Sequence, residues 1–150
     1  MSQTAVYETT VTWRAEHLGH IRMGNGPEMD FSAPPDAKGL PGVLTPEDAF
    51  VASVNTCIMM MFLWSCERLK LELLSYECRA EGTKLIELDK TEIFTKIHLF
   101  PKIRVKAENE TQDSVRARIQ KALRAAQKYS LVANSIKSVV TIEPEIEIFH

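Results

Sequence analysis

The chain has 150 residues, of which 45% are hydrophobic and 25% charged, with a net charge of -2 and a pI near 6.1. This length suits a single globular domain over residues 1–150, and the nearly balanced charge argues against nucleic-acid and membrane-surface binding. Three cysteines without metal-type spacing do not form the disulfide framework of a secreted protein. The N-terminus lacks a signal-peptide pattern, so we expect a cytoplasmic protein.

The N-terminal region carries the pattern of a small antiparallel sheet. Val6–Trp13 is rich in β-branched and aromatic residues and predicts a strand. Shorter strands are predicted at His20–Met23 and Met29–Ser32, joined by a turn at Gly24-Asn25-Gly26. We therefore expect a three-stranded meander before the first helix.

The start of a long helix is signalled by several residues in succession. Thr45 is a suitable N-cap, Pro46 fits the first helical position, and the carboxylate of Glu47 complements the helix dipole. The predicted helix ends near Lys70, after basic residues that are favoured in a last turn.

The middle of this helix, Ala49–Trp64, is apolar on nearly every side. It is shorter than the roughly 20 residues that a bilayer requires and contains Ser53, Asn55 and Thr56, so a buried helix of a soluble protein is favoured. A domain of this size has little material to cover such a helix completely. We therefore expect part of its surface to be buried against a second subunit.

The second half of the chain alternates strands and helices. Pro101 lies inside one predicted strand and suggests a bulge or an edge position. The order of elements indicates an α+β architecture. The predicted elements are strands at Leu73–Glu81 and Glu92–Lys106, a helix capped by Thr111 and ending near Lys128, a short helical turn at Leu131–Lys137, and a final strand at Val139–Phe149.

One motif at the start of the long helix points to a known family. The run from Leu44 to Cys57 reads Leu-Thr-Pro-Glu-Asp-Ala-Phe-Val-Ala-Ser-Val-Asn-Thr-Cys, with ten positions between Glu47 and Cys57. It resembles the "N-P-E-x-L-x-A-x-x-x-x-C" signature of the OsmC/Ohr family, the osmotically inducible and organic hydroperoxide resistance proteins. The resemblance implies an OsmC-like fold, with antiparallel sheets around a long central helix in an intertwined homodimer. It also implies reduction of organic hydroperoxides by a cysteine thiolate, with no cofactor.

The resemblance assigns roles to individual residues. Cys57 corresponds to the peroxide-reducing cysteine and Glu47 to the family's glutamate at the helix start. Arg14 is the nearest match to the arginine of the hydroperoxide-resistance branch, with Arg22 as an alternative. The family's second, resolving cysteine is replaced by Ser130, so the resemblance implies a one-cysteine cycle completed by an external thiol reductant.

The chain offers no obvious substitute for the resolving cysteine. Cys66 lies nine residues after Cys57 on the same predicted helix, about 13 Å further along its axis and on the opposite face. Cys78 lies in a predicted strand, and the sequence does not place it relative to Cys57. We expect both to be packing residues.

Other interpretations of these residues remain open at the sequence level. The scaffold without peroxidase chemistry could bind a small hydrophobic molecule at the dimer interface, and a hydrolase using Ser130 is a weaker alternative because no histidine or acid accompanies it. His17 and His20 form an H-x-x-H pair without a third ligand, so we expect no metal site. The basic residues of the second helix fit its solvated face: Arg116, Arg118, Lys121, Arg124 and Lys128.

Overall fold

The computed structural model describes residues 2–150 and contains three α-helices, one short 3-10 helix at Pro35–Ala37 and seven strands, which confirms the α+β class. The chain divides into two compact units, one reaching to Phe50 and the other spanning Val51–His150. The elements are β1 Thr9–Ala15, β2 Leu18–Met23, β3 Glu28–Ser32, α1 Pro46–Arg68, β4 Glu72–Ile86, β5 Glu92–Lys106, α2 Gln112–Tyr129, α3 Leu131–Asn134, β6 Val139–Ile142 and β7 Glu145–Phe149.

The first unit contains the predicted antiparallel meander, in the order β1-β2-β3. Gly26 in the β2–β3 turn has φ of 116°, a conformation that favours glycine. Strand β1 begins at Thr9, later than predicted, and every one of its residues is exposed. Val11 and Trp13 are 62% and 76% exposed. The sequence pattern of β1 therefore reflects strand propensity rather than burial within this chain.

Helix α1 starts as predicted, because Thr45 Oγ1 accepts a hydrogen bond of 3.0 Å from the backbone N–H of Asp48. Only one face of the helix is buried, and Met60 and Trp64 on other faces are 43% and 55% exposed. The chain therefore does not cover this helix on all sides. The buried positions recur every fourth residue: Val54, Ile58, Phe62 and Cys66.

By length and composition alone, α1 is also apolar enough to cross a membrane, with a mean hydropathy of 1.7. The core helix of a soluble protein can meet the same criterion. Here one side of α1 contacts the β-sheet of the second unit, where the rings of Phe62 and Tyr76 lie 5.4 Å apart.

The second unit is built on a mixed sheet. The long strands β4 and β5 pair antiparallel, and β5 also pairs in parallel with β6 and then with β7. Strand β4 continues to Ile86, beyond the predicted Glu81. The prediction of one C-terminal strand is wrong, because the chain breaks between β6 and β7 at Glu143 and Pro144.

Pro101 occupies the interior of β5, and its prediction as a bulge or edge residue is wrong. It is fully buried and lies opposite Cys78 of β4 in regular register. On the other side of β5, the pairing with β6 ends at Leu99 and the pairing with β7 starts at Lys102. A proline is tolerated in this central strand because its missing N–H coincides with the gap between β6 and β7.

Helix α2 begins at the predicted cap, where Thr111 Oγ1 accepts a 3.2 Å hydrogen bond from the backbone N–H of Ser114. Its apolar positions recur at three- and four-residue spacing and are buried. The expected solvated basic face is found at Lys121, Arg124 and Lys128, which are exposed, but Arg116 and Arg118 are half-buried. The buried side chains of this region are Val115, Ile119, Ala122, Leu123 and Ala126 of α2, and Ile97, Leu99, Ile103 and Val105 of β5.

Candidate functional site

Cys57 of α1 and Ser130, at the junction of α2 and α3, form the centre of the candidate site. They lie 73 residues apart in sequence, yet Ser130 Oγ donates a hydrogen bond of 3.1 Å to Cys57 Sγ. Ser130 is completely buried, whereas Cys57 is half-buried. The residue that stands in the place of a second cysteine thus contacts the first one directly.

The hydroxyl of Ser130 is held from two sides. Its oxygen accepts a 3.2 Å hydrogen bond from the backbone N–H of Ala133, and this contact caps α3. A hydroxyl has one proton, and here that proton is directed at the sulfur of Cys57. Within residues 2–150, neither histidine nor carboxylate hydrogen bonds to Ser130, so the geometry gives no support to a serine hydrolase.

The other two thiols lie away from this contact. Asn55 Nδ2 donates to the carbonyl oxygen of Cys78, so strand β4 faces the Asn55 side of α1. Residues two apart on a helix point about 160° away from each other, which directs Cys57 away from that strand. Cys66 lies on the buried face of α1, and all three cysteines are free. No second thiol of this chain therefore stands in the resolving position.

Burial also makes these two thiols poor nucleophiles. Desolvation, assisted by the charge of Glu67, raises the pKa of Cys66 to about 11. Burial likewise raises the pKa of Cys78. Since the thiolate is the reactive form, both groups remain protonated at neutral pH and fit the packing role expected from the sequence.

The remaining predicted site residues lie in the first unit or at its end. Arg14 is an exposed residue of β1, at the irregularity in its pairing with β2, and Arg22 is an exposed residue of β2. Glu47 is half-buried in the first turn of α1. Within residues 2–150 neither arginine forms an ion pair with Glu47.

His20, one half of the H-x-x-H pair, is engaged by two carboxylates of β3. Its Nδ1 lies 2.8 Å from Asp30 and its Nε2 lies 2.9 Å from Glu28. Hydrogen bonds to Asp30 and Glu28 raise the pKa of His20, and Arg14 opposes this. Among the described residues, no group of three or more histidine, cysteine, aspartate or glutamate side chains is arranged to hold a metal ion.

The raised pKa of His20 predicts that this side chain stabilises the fold to a degree that depends on pH. A histidine whose pKa is higher in the folded chain adds stability below its unfolded pKa of about 6.5, and this contribution disappears as the pH rises through the folded value. We expect His20→Gln to lower the free energy of unfolding most at pH 5.5–6.5, and progressively less toward pH 8.5. Urea denaturation across this range measures the difference.

The matched control is His17→Gln, which changes an exposed histidine without an ion pair in the described chain. A difference between wild type and His20→Gln that stays constant from pH 5.5 to 8.5 would contradict the prediction.

The sequence did not indicate two of the contacts described above, one around His20 and one at Asn55. The carboxylates around His20 become neighbours through the antiparallel pairing of β2 and β3, in which His20 lies opposite Asp30. The hydrogen bond of Asn55 to β4 had no sequence signal beyond a polar residue in an apolar helix.

Solved structures share this fold over nearly the whole chain. An OsmC-like protein of unknown function from Vibrio cholerae has a TM-score of 0.84 at 20% identity, with 95% of this chain and 100% of that chain covered. An organic hydroperoxide resistance protein from Elizabethkingia anophelis has a TM-score of 0.72 at 15% identity, with coverage of 98% and 99%. The organic hydroperoxide resistance protein OhrB of Bacillus subtilis has a TM-score of 0.60 at 16% identity, with coverage of 95% and 98%. At these identities the likeness shows the fold.

Two comparisons of the sequence give different results. A search of curated proteins finds no match. The family sequence model described as OsmC-like protein matches residues 39–145, a segment that includes α1, Cys57 and Ser130. The match covers well over half of the chain, and the chain therefore belongs to the OsmC-like protein family.

Proposed function

We propose that the protein is a thiol-dependent peroxidase that reduces organic hydroperoxides with Cys57 in a one-cysteine cycle. The observation that supports this proposal is the hydrogen bond from Ser130 Oγ to Cys57 Sγ. A hydroxyl donor in contact with the sulfur can hydrogen bond to the thiolate, which is the nucleophilic form. Some of the fold's solved neighbours are named organic hydroperoxide resistance proteins, which supports the same substrate class.

The proposed reaction begins with attack of the Cys57 thiolate on the terminal oxygen of the hydroperoxide. The O–O bond breaks, the organic part leaves as an alkoxide that takes a proton to become an alcohol, and Cys57 becomes a sulfenic acid. An external thiol then condenses with the sulfenic acid to give a mixed disulfide and water. A second external thiol releases Cys57 and leaves as the oxidised disulfide.

Arg14 and Glu47 have proposed supporting roles that follow the family resemblance. A guanidinium stays charged at any relevant pH and can be held by a carboxylate in fixed geometry. We propose Arg14 as the cation that stabilises the thiolate and Glu47 as the carboxylate that orients it.

The direct test supplies purified protein with cumene hydroperoxide and a thiol reductant. Catalytic loss of hydroperoxide, together with trapping of a sulfenic acid on Cys57 by dimedone, supports the proposal. A protein that consumes no hydroperoxide and forms no adduct would instead support the alternative of a scaffold that binds a hydrophobic molecule.

The contribution of the hydroxyl is tested by Ser130→Ala. A hydrogen bond to a charged group contributes about 1.5–3 kcal/mol, so we expect alkylation of Cys57 by iodoacetamide at neutral pH to slow by about tenfold or more. Loss of the α3 cap should also lower the free energy of unfolding by about 1 kcal/mol. Mass spectrometry of the Cys57 peptide measures the rate.

A matched control is Ser138→Ala, which removes another buried hydroxyl, one that donates to the carbonyl of Phe94. We expect its Cys57 alkylation rate to remain that of wild type. Equal rates in Ser130→Ala and Ser138→Ala would show that the contact with sulfur does not control reactivity.

We further propose a homodimer in a reducing, cytoplasmic setting. The exposed side of α1 carries Ala52, Thr56 and Met60 at four-residue spacing, a small and mostly apolar stripe suited to helix packing. The three free cysteines fit a reducing compartment.

The dimer proposal predicts a change of mass in Met60→Lys. A lysine in the middle of the stripe would bury an unpaired charge in the assembled form, so we expect the wild type to sediment as a dimer and the variant as a monomer. Analytical ultracentrifugation measures both, with Lys96→Gln on strand β5 as a surface control. A wild-type monomer would refute the proposal.

A further inference from the structure

A groove runs between the C-terminal half of α1 and the outer face of α2. It consists of two adjoining cavities of about 370 and 460 Å³. Ser65, Arg68, Ala125 and Tyr129 line both of them, so the two cavities form one continuous depression. Each is within the size range of small-molecule sites.

One end of the groove is basic. Arg68 of α1 faces three cations of α2, Lys121, Arg124 and Lys128, which recur at three- and four-residue spacing. None of the four forms an ion pair within the described chain, and no carboxylate lines the groove. Four uncompensated positive charges in one concave surface raise the local concentration of anions.

These cations are not needed to cap α1. The guanidinium of Arg118 already donates a 2.6 Å hydrogen bond to the carbonyl oxygen of Leu69, just after the helix ends. Arg118 is itself neutralised by Glu110. The basic end of the groove therefore has no carboxylate partner among the described residues, and the one recorded contact of its charged groups is that of Lys128 Nζ, 5.2 Å from the centre of the Tyr129 ring.

The other end of the groove is apolar and aromatic. It is lined by Met61, Trp64 and Tyr129, of which the two aromatic side chains are 55% and 58% exposed. Large exposed aromatic side chains beside a concavity are typical of binding sites.

The apolar end also adjoins the candidate site. Cys57, Met61, Trp64 and Arg68 follow at intervals of four, three and four residues, which places them on one stripe of α1. Tyr129 immediately precedes Ser130 at the end of α2. A ligand in the groove would therefore extend from the basic end toward the turn that carries Cys57.

We propose that this groove binds an amphipathic anion, a single acyl chain that carries a phosphate head group. The phosphate lies among Arg68, Lys121, Arg124 and Lys128, and the chain lies along Met61, Trp64 and Tyr129. A phosphomonoester carries nearly two negative charges at neutral pH, which suits several cations better than a single carboxylate does. The proposal is independent of peroxidase activity.

Titration calorimetry with monomeric dodecyl phosphate, below the concentration at which it forms micelles, tests the proposal. We expect one site per chain and at least tenfold weaker binding of uncharged dodecyl maltoside. Arg124→Gln/Lys128→Gln should weaken dodecyl phosphate binding by about tenfold, and Trp64→Ala should weaken it as well.

The matched control is Lys96→Gln/Lys137→Gln, which removes two exposed lysines outside the groove and should change affinity less than twofold. Circular dichroism melting confirms that each variant is folded. Equal affinity for the charged and uncharged amphiphiles would overturn the proposal, and so would equal affinity for inorganic phosphate. Binding to phosphatidic acid vesicles without binding of monomeric dodecyl phosphate would also overturn it, in favour of a membrane surface.

Discussion

In the Cys57→Ser variant, we expect hydroperoxide consumption to fall to the rate of the reductant alone. A hydroxyl in place of the thiol can still accept the hydrogen bond from Ser130, so the fold around the junction of α2 and α3 is retained. What is lost is the sulfur that forms the sulfenic acid. An enzyme-coupled or colorimetric hydroperoxide assay measures the rate.

The controls for this experiment are Cys66→Ser and Cys78→Ser, measured in the same assay. The Cys66 thiol has a pKa of about 11 and remains protonated at neutral pH, so its removal should leave turnover unchanged. Cys78 lies against the opposite side of α1 and should behave in the same way. Full activity in Cys57→Ser would remove the proposed mechanism.

The second large effect is expected from Ser130→Cys. The Ser130 oxygen lies 3.1 Å from Cys57 Sγ, and a sulfur at this position needs to approach by only about 1 Å to reach the S–S bond length. We expect hydroperoxide to convert this variant into an intrachain disulfide, where the wild type forms a sulfenic acid. Its cycle should then depend on a dithiol reductant.

Intact-mass spectrometry after one equivalent of hydroperoxide separates these products. The wild type should gain one oxygen atom or form a dimedone adduct, whereas Ser130→Cys should lose two hydrogen atoms and resist dimedone. The combined variant Cys57→Ser/Ser130→Cys is the control for oxidation at the new thiol alone. A disulfide-free Ser130→Cys protein would show that the two side chains cannot adopt bonding geometry.

The elements that the sequence predicted best are those with local chemical signals. Thr45 and Thr111 form the expected caps, and β3 and β5 occur at the predicted positions. The division of the last strand was missed, because Pro144 interrupts a pattern whose alternation continues on both sides. The position of Pro101 was also missed, since a gap between two partner strands arises from tertiary pairing and leaves no mark in the local sequence.

Prediction of the candidate site was likewise limited to features with a local sequence signal. The motif around Glu47 predicted the start of α1 and the family, and the comparison confirms the family. The motif residues alone carry no signal for the contact between Ser130 and Cys57, which joins residues 73 positions apart. That contact was implied only by the family resemblance, which places Ser130 at the position of the resolving cysteine. The basic residues of α2 appeared to be a solvated face, and only the position of Arg68 on α1 shows that several of them line a groove.

The hydroxyl of Ser130 connects the sulfur of Cys57 to the junction between α2 and α3. Ser130 is the residue at which α2 ends, and its side-chain oxygen caps α3 through the N–H of Ala133 and faces the sulfur of Cys57. Any change in the charge or size of that sulfur is therefore transmitted to a helix junction through a single atom. We therefore expect oxidation of Cys57 to change the local order of α3, and a change in the order of α3 to bias that oxidation by the same free energy.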